Sequence, residues 1–361
     1  MSTATVAAPG QPPVSKNRLL VTSGLGWMFD AMDVGLLSFI LAALKADWGL
    51  SAGQMGWIGA INSIGMAVGA MMFGMLADRL GRKQVFIITL LLFAIASGLS
   101  AFASTLAVLM VLRFFIGMGL GGELPVASTY VSERVPVHER GRIVVLLESF
   151  WALGWILAAL IAYFVMPRFD KDMGWRVALL LGALPAVYAL YLRRKLPDDK
   201  PTAPPSARLP WTERLAALWA PAHRRNTLML WILWFTVVFS YYGMFLWLPS
   251  VMIGKGFALI KSFEYVLLMT LAQLPGYFTA AWLIERMGRK FVLVVYLLGT
   301  AASAWAFGNA TTEGMLLLFG ALLSFFNLGA WGALYAYSPE NYPAPIRASG
   351  GSLPGPVNPA L

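Results

Sequence analysis

The sequence predicts an all-helical protein that lies in a lipid bilayer and consists of two similar halves. Three observations predict this fold class: an apolar composition, ten long apolar segments, and two motifs that recur at one fixed offset. Of the 361 residues, 59% are hydrophobic and only 12% are charged. A soluble domain carries roughly 25% charged residues, so this chain cannot form a water-exposed exterior, and lipid is its expected solvent.

Ten segments are long and apolar enough to cross a membrane, since a spanning helix needs about 20 mainly apolar residues. They are too long and too continuous for the strands of a membrane barrel, which alternate over about ten residues. The predicted spans cover residues 19–44, 53–77, 84–103, 106–130, 141–166, 174–192, 227–253, 262–284, 291–310 and 313–338.

The positive charges predict the direction of these spans. With the N-terminus in the cytoplasm, 20 of the 27 Lys and Arg residues face the cytoplasm and six face outward. Positive residues favour the cytoplasmic side, so this bias predicts a cytoplasmic N-terminus. It also accounts for the net charge of +10 without a nucleic-acid partner. Eight of the cytoplasmic charges lie in the loop 193–226, which divides the two halves.

Two motifs indicate that the chain contains an internal duplication. One motif follows the second predicted span and again the eighth, as Asp78-Arg79-Leu80-Gly81-Arg82-Lys83 and Glu285-Arg286-Met287-Gly288-Arg289-Lys290. The other, Glu-x-x-Pro-x-x-x-Arg, begins at Glu133 and again at Glu340. The offset is 285 − 78 = 207 for the first and 340 − 133 = 207 for the second. Six spans separate the copies, an even number, so the halves are expected to be parallel.

The repeat also predicts the domain organisation. We expect a disordered cytoplasmic N-terminus at 1–18, a six-helix bundle at 19–192, the inter-half loop at 193–226, a four-helix bundle at 227–350, and an atypical tail at 351–361. The fifth and sixth helices should recur near 348–373 and 381–399, but the sequence stops at Leu361 after a proline-rich stretch. The expectation is therefore a truncated second half.

The residue inventory argues against an enzyme and against a cofactor or metal site. The chain has no cysteine, and its two histidines, His138 and His223, lie in polar stretches without a second ligand nearby. It contains no glycine-rich phosphate loop and no Ser/His/Asp arrangement, so no catalytic set is expected.

The acid-Arg-x-Gly-Arg-Lys loop resembles the signature of the major facilitator superfamily, and residues 113–126 resemble the fourth helix of its sugar porters. Within the superfamily, the chain is similar over residues 18–350 to bacterial niacin (nicotinate) permeases, through the stretches 26–35, 146–152, 240–249 and 323–332. The resemblance implies a monomeric, proton-linked importer of a small aromatic carboxylate in the bacterial cytoplasmic membrane. An aromatic-acid symporter, a sugar porter and a non-transporting membrane sensor remain alternatives, and residues 195–199 lack the sugar-porter pattern.

Ionisable residues inside the predicted spans are candidates for function, because a charge at mid-membrane is costly unless it is paired. They are Asp30, Asp33, Arg113, Glu123 and Glu148. Asp30 and Asp33 are three apart, so they are expected on one helical face. The resemblance implies that Asp33 binds the transported proton and that Arg113 stabilises its charged form. A static ion pair is the alternative, and Arg113 could instead bind a substrate carboxylate.

Polar and aromatic residues of the spans are candidates for the substrate site. An aromatic ligand would stack on aromatic walls, and an amide would bind its polar atoms. The alternative for each aromatic residue is a lipid-facing or core position, and Glu123 could equally serve as a fourth-helix ion partner. The candidates are Arg113, Glu123, Glu148, Trp151, Trp155, Tyr241, Tyr242, Gln273, Asn327 and Trp331.

The cytoplasmic loop motif is a candidate lock between the halves. The resemblance implies that Asp78 faces the start of an eleventh helix, where a carboxylate is favoured. Retention of positive charge on the cytoplasmic side is the alternative reading. The predicted gate residues are Gly74, Asp78, Arg79, Gly81, Arg82, Lys83, Glu285, Arg286, Gly288, Arg289 and Lys290.

Overall fold

A computed structural model describes residues 16–132, 140–185, 188, 191, 213, 216 and 218–341. Every regular element within these ranges is helical. Residues 1–15 of the predicted disordered N-terminus, most of the inter-half loop and the predicted tail lie outside the described residues. The prediction is wrong for residues 16–18, which form the start of the first helix.

The described part of the first half contains six α-helices and an extension of the fifth that is not α-helical. A capping box begins α2: the Ser51 side chain accepts from the Gln54 N–H, and the Gln54 side chain accepts from the Ser51 N–H. After α5, a π-helical turn (Ile161–Val165) and a 3₁₀ turn (Met166–Arg168) lead to α6. The helices are α1 (Lys16–Trp48), α2 (Ala52–Leu80), α3 (Arg82–Ser100), α4 (Leu106–Ser132), α5 (Arg140–Leu160) and α6 (Lys171–Leu181).

The second half repeats the plan with two interruptions. One lies between Phe245 and Leu248, and the other lies at Ala272, between two consecutive helices. Pro275 explains the break, because proline removes a backbone donor and its ring clashes with the carbonyl of residue 271. The helices are α7 (Arg224–Phe245), α8 (Leu248–Gly254), α9 (Leu259–Leu271), α10 (Gln273–Met287), α11 (Arg289–Gly308) and α12 (Glu313–Tyr337).

Among the described residues, eight helical stretches are long and apolar enough to cross a membrane. They coincide with eight of the ten predicted spans and run Leu20–Trp48, Ala52–Phe73, Lys83–Ser100, Val145–Arg168, Arg224–Phe245, Leu259–Met287, Arg289–Gly308 and Glu313–Tyr337. The fourth predicted span is represented by the shorter apolar stretch Leu106–Gly122. The sixth is described as a helix over Lys171–Leu181, and part of its remainder lies outside the described residues.

The internal duplication is visible in the backbone geometry. Gly81 has φ 91° and ψ 152°, and Gly288, 207 residues later, has φ 83° and ψ 150°. A Cβ on Gly69 would lie 1.9 Å from the Met118 carbonyl oxygen. At the same offset, 276 − 69 = 325 − 118 = 207, a Cβ on Gly276 would lie 2.3 Å from the Phe325 carbonyl oxygen. The same close helix crossing is therefore built twice, as expected for small residues between membrane helices.

The two halves meet through α1 and α5. Helix α5 packs against α9, α10 and α12, and α1 packs against α8 and α9. The Ser38 hydroxyl donates a hydrogen bond of 2.9 Å to the Phe245 carbonyl, and these two residues are themselves 207 apart. Residues related by a two-fold repeat touch each other only near its axis, so this contact locates the axis between α1 and α7.

One face of α7 is much less covered than the matching face of α1. The apolar window of the first span is 89% buried, whereas that of Arg224–Phe245 is 28% buried. A groove of about 400 Å³ separates α7 from α2, and Phe235, Val238, Phe239 and Tyr242 form part of its wall. Their counterparts 207 residues earlier, Met28, Ala31, Met32 and Gly35, lie against α5. The segment that matches α5 begins at residue 347, outside the described residues.

Candidate functional site

A buried ion pair joins α1 to α4 in the first half. Arg113 Nη1 lies 3.0 Å from Asp33 Oδ2, and each side chain is 1% exposed. Ser97 on α3 donates to the other carboxylate oxygen at 3.1 Å. Three helices of one bundle therefore hold the Asp33 carboxylate between a cation and a hydroxyl.

The guanidinium of Arg113 uses little of its hydrogen-bonding capacity. Its Nε and Nη2 atoms are buried and have no hydrogen-bond partner among the described residues. A carboxylate can accept two parallel bonds from arginine, but here Arg113 makes one. The pair is thus held by a single charged bond, and the described contacts do not join Arg113 to the aromatic residues discussed below.

Asp30 has different surroundings from Asp33. It is buried in α1 and interacts electrostatically with Tyr242 of α7, in the second half. Three residues of an α-helix span a rotation of about 300°, so side chains at this spacing point about 60° apart around the helix axis. The two acids therefore share a side of the helix only approximately. Asp33 is bonded within its own bundle, and Asp30 is near enough to the other half to interact with it, while the common face stays a prediction.

Buried aromatic residues from both halves form one cluster that crosses the interface between them. Trp151 of α5 donates its indole N–H to the Tyr241 hydroxyl of α7. The ring centroids of Trp155 and Tyr241 are 6.1 Å apart, and those of Tyr241 and Trp331 are 5.2 Å apart. Trp27 of α1 packs against Trp151 with ring centroids 4.7 Å apart and the ring planes tilted by 41°. These positions are in the protein core, so a lipid-facing role is excluded for Trp151, Trp155, Tyr241 and Trp331.

Glu148 lies one turn before Trp151 on α5 and is 1% exposed. The indoles of Trp27 and Trp331 are close enough to interact with its carboxylate. Neither indole completes a hydrogen bond, and the Oε2 atom of Glu148 has no hydrogen-bond partner among the described residues. The two indoles are therefore neighbours of Glu148 that do not satisfy it.

Two buried amide side chains of the second half also have atoms without a described hydrogen-bond partner. Gln273 is fully buried, and neither its amide nitrogen nor its oxygen has a hydrogen-bond partner among the described residues. Asn327 donates to the Ser240 hydroxyl at 3.3 Å, while its oxygen is also without a described partner. Buried polar groups are normally hydrogen-bonded, so these open donors and acceptors are candidates for contact with a polar ligand.

The gate residues are only partly described. The side chains of Asp78, Arg79, Arg82 and the candidate Glu123 lie outside the described residues, so their predicted roles stay predictions. Glu285 and Lys290 are exposed, and Arg286 stacks on the Trp282 ring at 4.1 Å. Arg289 donates to the Ala336 carbonyl at 3.3 Å and so ties the loop to the end of α12.

The sequence reasoning missed Ser97 and Trp27. Ser97 is a lone hydroxyl in an apolar span, and such residues usually bond to their own helix, so nothing local indicated its bond to Asp33. Trp27 was part of a motif but its neighbours depend on how α1 packs on α5. Among the described residues, no group of three or more potential metal ligands occurs.

Comparison with known proteins decides the family. A family model described as the Major Facilitator Superfamily matches residues 24–353. The chain belongs to the major facilitator superfamily. Over 342 residues, this major facilitator protein is 65% identical to a Bacillus subtilis (strain 168) protein named as a candidate niacin/nicotinamide transporter, NiaP. The match covers 94% of this chain and 84% of that protein.

Two other proteins match the chain at lower identity. The niacin transporter NiaP of Acinetobacter baylyi is 48% identical over 361 aligned residues, covering 92% of this chain and 81% of that protein. The xylose transporter XylE of E. coli, in a partially occluded inward-open conformation, superposes with a TM-score of 0.74 at 16% identity. That match covers 96% of this chain and 87% of the xylose transporter, and it supports the fold alone.

Proposed function

We propose that this chain imports nicotinate, or a closely related small aromatic carboxylate, across the bacterial cytoplasmic membrane. It acts as a monomer with ten spans, a cytoplasmic N-terminus and alternating access between two parallel halves. The observation that carries the proposal is the buried cluster of aromatic rings and unsatisfied amides between the halves. The names of the Bacillus and Acinetobacter relatives support nicotinate as the ligand.

The cluster has the groups that a flat aromatic acid needs. Its rings offer stacking surfaces from both halves, with Trp151 and Tyr241 in contact across the interface. Gln273 and Asn327 offer amide hydrogen-bonding groups on one side. A ligand bound between them would touch both halves at once, and rocking of one half against the other would then expose it to each side of the membrane in turn.

The Asp33–Arg113 pair is proposed to couple transport to protons. Protonation of Asp33 removes its negative charge and with it the attraction that holds α1 to α4. Arg113 is then a buried cation without a counter-ion, which is costly, so the helices are driven to a different arrangement. The single charged bond between them supports this role, because a pair held at one point separates more readily than a two-point fork.

Uptake of labelled nicotinate by a bacterial strain that lacks its own permease tests the proposed function. We expect uptake above the empty-vector control, competed by unlabelled nicotinate and unaffected by xylose. Uptake of labelled xylose without uptake of nicotinate would favour a sugar porter. Competition by aromatic acids in general, with no preference for nicotinate, would favour a broader aromatic-acid symporter. Nicotinate binding to the purified protein without any uptake would favour a sensor.

Asp33→Asn tests the coupling. The variant should lose uptake driven by a proton gradient but keep exchange of labelled for unlabelled nicotinate in proteoliposomes, because exchange needs no net proton movement. Gradient-driven uptake at the normal rate would show that Asp33 is only a structural ion-pair partner.

A further inference from the structure

We propose that Glu148 recognises the ring nitrogen of the substrate and shares one proton with it, so that the site selects pyridine carboxylates over other aromatic acids. This inference rests on the proposed function and specifies which end of the ligand each half binds. It assigns to Glu148 a specificity role that is separate from the Asp33–Arg113 pair.

Glu148 lies where the two halves meet. It lies on α5 of the first half, yet the groups that interact with it come from α1 and from two helices of the second half. They are Trp27 on α1, Tyr277 on α10, and Trp331 and Tyr335 on α12. Glu148 therefore lies at the interface, beside the aromatic cluster that forms the proposed substrate site.

The neighbours of Glu148 supply no counter-charge. All four are neutral aromatic side chains, and Glu148 forms no salt bridge among the described residues. Its Oε2 atom has no hydrogen-bond partner among them, and neither do the indole nitrogens of Trp27 and Trp331 or the hydroxyl of Tyr277. A buried carboxyl group without a cation or a full set of hydrogen bonds is costly unless it carries or receives a proton.

The ligand has two different polar groups that could face Glu148. A pyridine carboxylate has a basic ring nitrogen at one end and a carboxylate at the other. Placed against Glu148, its carboxylate would meet a second carboxyl group and be repelled if both were ionised. Its ring nitrogen, in contrast, can accept a hydrogen bond from the carboxylic acid, or donate one to the carboxylate as pyridinium.

The proton balance is the same in both descriptions. Glu148 as acid with neutral pyridine, and Glu148 as carboxylate with pyridinium, contain the same atoms and the same total charge. One proton lies between the Glu148 oxygen and the ring nitrogen, and no covalent bond to carbon forms or breaks. The substrate carboxylate is then directed away from Glu148, and the second half offers it a buried donor without a described partner in the amide nitrogen of Gln273.

The test is a comparison of three ligands on the purified full chain in lipid nanodiscs. Nicotinate has both the ring nitrogen and the carboxylate, benzoate lacks the nitrogen, and nicotinamide lacks the carboxylate. Binding of each compound is measured directly by calorimetry to wild type, Glu148→Ala, Glu148→Gln and Ser149→Ala. Ser149 is a matched control, since it is the next residue of α5 and its hydroxyl bonds to its own helix at the Leu146 carbonyl.

Wild type should bind nicotinate at least about tenfold more tightly than benzoate, the discrimination expected when a buried polar group is left unpaired by the wrong ligand. Glu148→Ala should weaken nicotinate and nicotinamide by about tenfold while benzoate changes little, which removes the preference. Glu148→Gln should keep part of it, because the amide N–H can still donate to the ring nitrogen. Ser149→Ala should behave as wild type.

Equal binding of nicotinate and benzoate by wild type would overturn the inference. So would equal weakening of all three compounds by Glu148→Ala, since that result describes a structural residue. If the alanine variant does not fold, the nearly isosteric Glu148→Gln decides: an unchanged nicotinate-to-benzoate ratio in that variant contradicts the role. Absence of nicotinate binding to wild type would instead refute the proposed function itself.

Discussion

The two halves of this molecule share one backbone plan but carry different chemistry. Asp33 and Arg113 form a buried ion pair in the first half, and their counterparts 207 residues later are Ser240 and Gly320. Close crossings of α2 with α4 and of α10 with α12 recur at the same offset. The duplicated scaffold therefore folds once with the charges and once without them. The six-helix plan shared by the two halves therefore does not require the ion pair.

Two of the three buried amides among the described residues show the reverse distribution. Gln273 and Asn327 lie in the second half, and the equivalent residues of the first half are Met66 and Leu120. At these positions, and at those of Asp33 and Arg113, the first half holds ionisable or apolar groups while the second half holds neutral ones. Exchanging residues between equivalent positions is the direct way to test whether this division matters for transport.

The largest effect is expected where the two halves are alike. Gly69→Val and Gly276→Val place side chains within 1.9 and 2.3 Å of backbone oxygens. Each should cost more than about 3 kcal/mol of stability, because a backbone carbonyl cannot move aside as a side chain can. The yield of monodisperse protein in detergent measures this, with Gly243→Ala as the control, since nothing lies within 4 Å of a Cβ there. Normal yield of either valine variant would show that the crossings are not equivalent constraints.

The next effect separates structure from coupling in the first half. Arg113→Ala leaves Asp33 buried without its cation and should cost about 3–5 kcal/mol, seen as a lower melting temperature. The double variant Asp33→Asn with Arg113→Met removes both charges and should recover most of that stability. It should nevertheless fail to concentrate nicotinate against a gradient. A stable double variant with full gradient-driven uptake would mean that the pair only holds α1 and α4 together.

A smaller effect is expected when the second half receives the residue of the first. Gln273→Met copies Met66 and removes two buried polar atoms that lack described partners. The ligand-free protein should melt at the same temperature or higher, because an unsatisfied buried amide is destabilising. Nicotinate affinity should fall about tenfold through loss of a hydrogen bond in a buried site. Unchanged affinity by calorimetry would place Gln273 outside the site.

The smallest effect is expected at Ser240, the counterpart of Asp33. Ser240→Ala removes the hydroxyl that accepts from Asn327 at 3.3 Å. The cost should be about 1 kcal/mol in stability, since the neutral bond from Asn327 is lost together with a bond that the hydroxyl donates to the Val237 carbonyl of its own helix. Proton-driven uptake should persist, in contrast to Asp33→Asn. Loss of gradient coupling in Ser240→Ala would contradict the assignment of protonation to the first half.

The sequence by itself predicted the all-helical class, the internal duplication and eight candidate spans that the structure contains. Hydropathy, helix length and repeated motifs are local properties, so a linear reading recovers them. It singled out Asp33 and Arg113, which the structure brings into contact, but their roles and those of the gate residues stay predictions. It also identified Glu148, Gln273 and Asn327 as individual candidates.

The tertiary structure decided which candidates meet. Ser97 reaches Asp33 across 64 residues, Trp151 reaches Tyr241 across 90, and Ser38 touches its own repeat partner in Phe245. It also brought Asp30 near Tyr242 of the other half, and it left exposed a face of α7 whose counterpart on α1 is buried. Such contacts depend on the rotation and depth at which several helices pack. Periodicity in one helix does not determine those quantities, because they follow from side-chain packing between segments far apart in the chain.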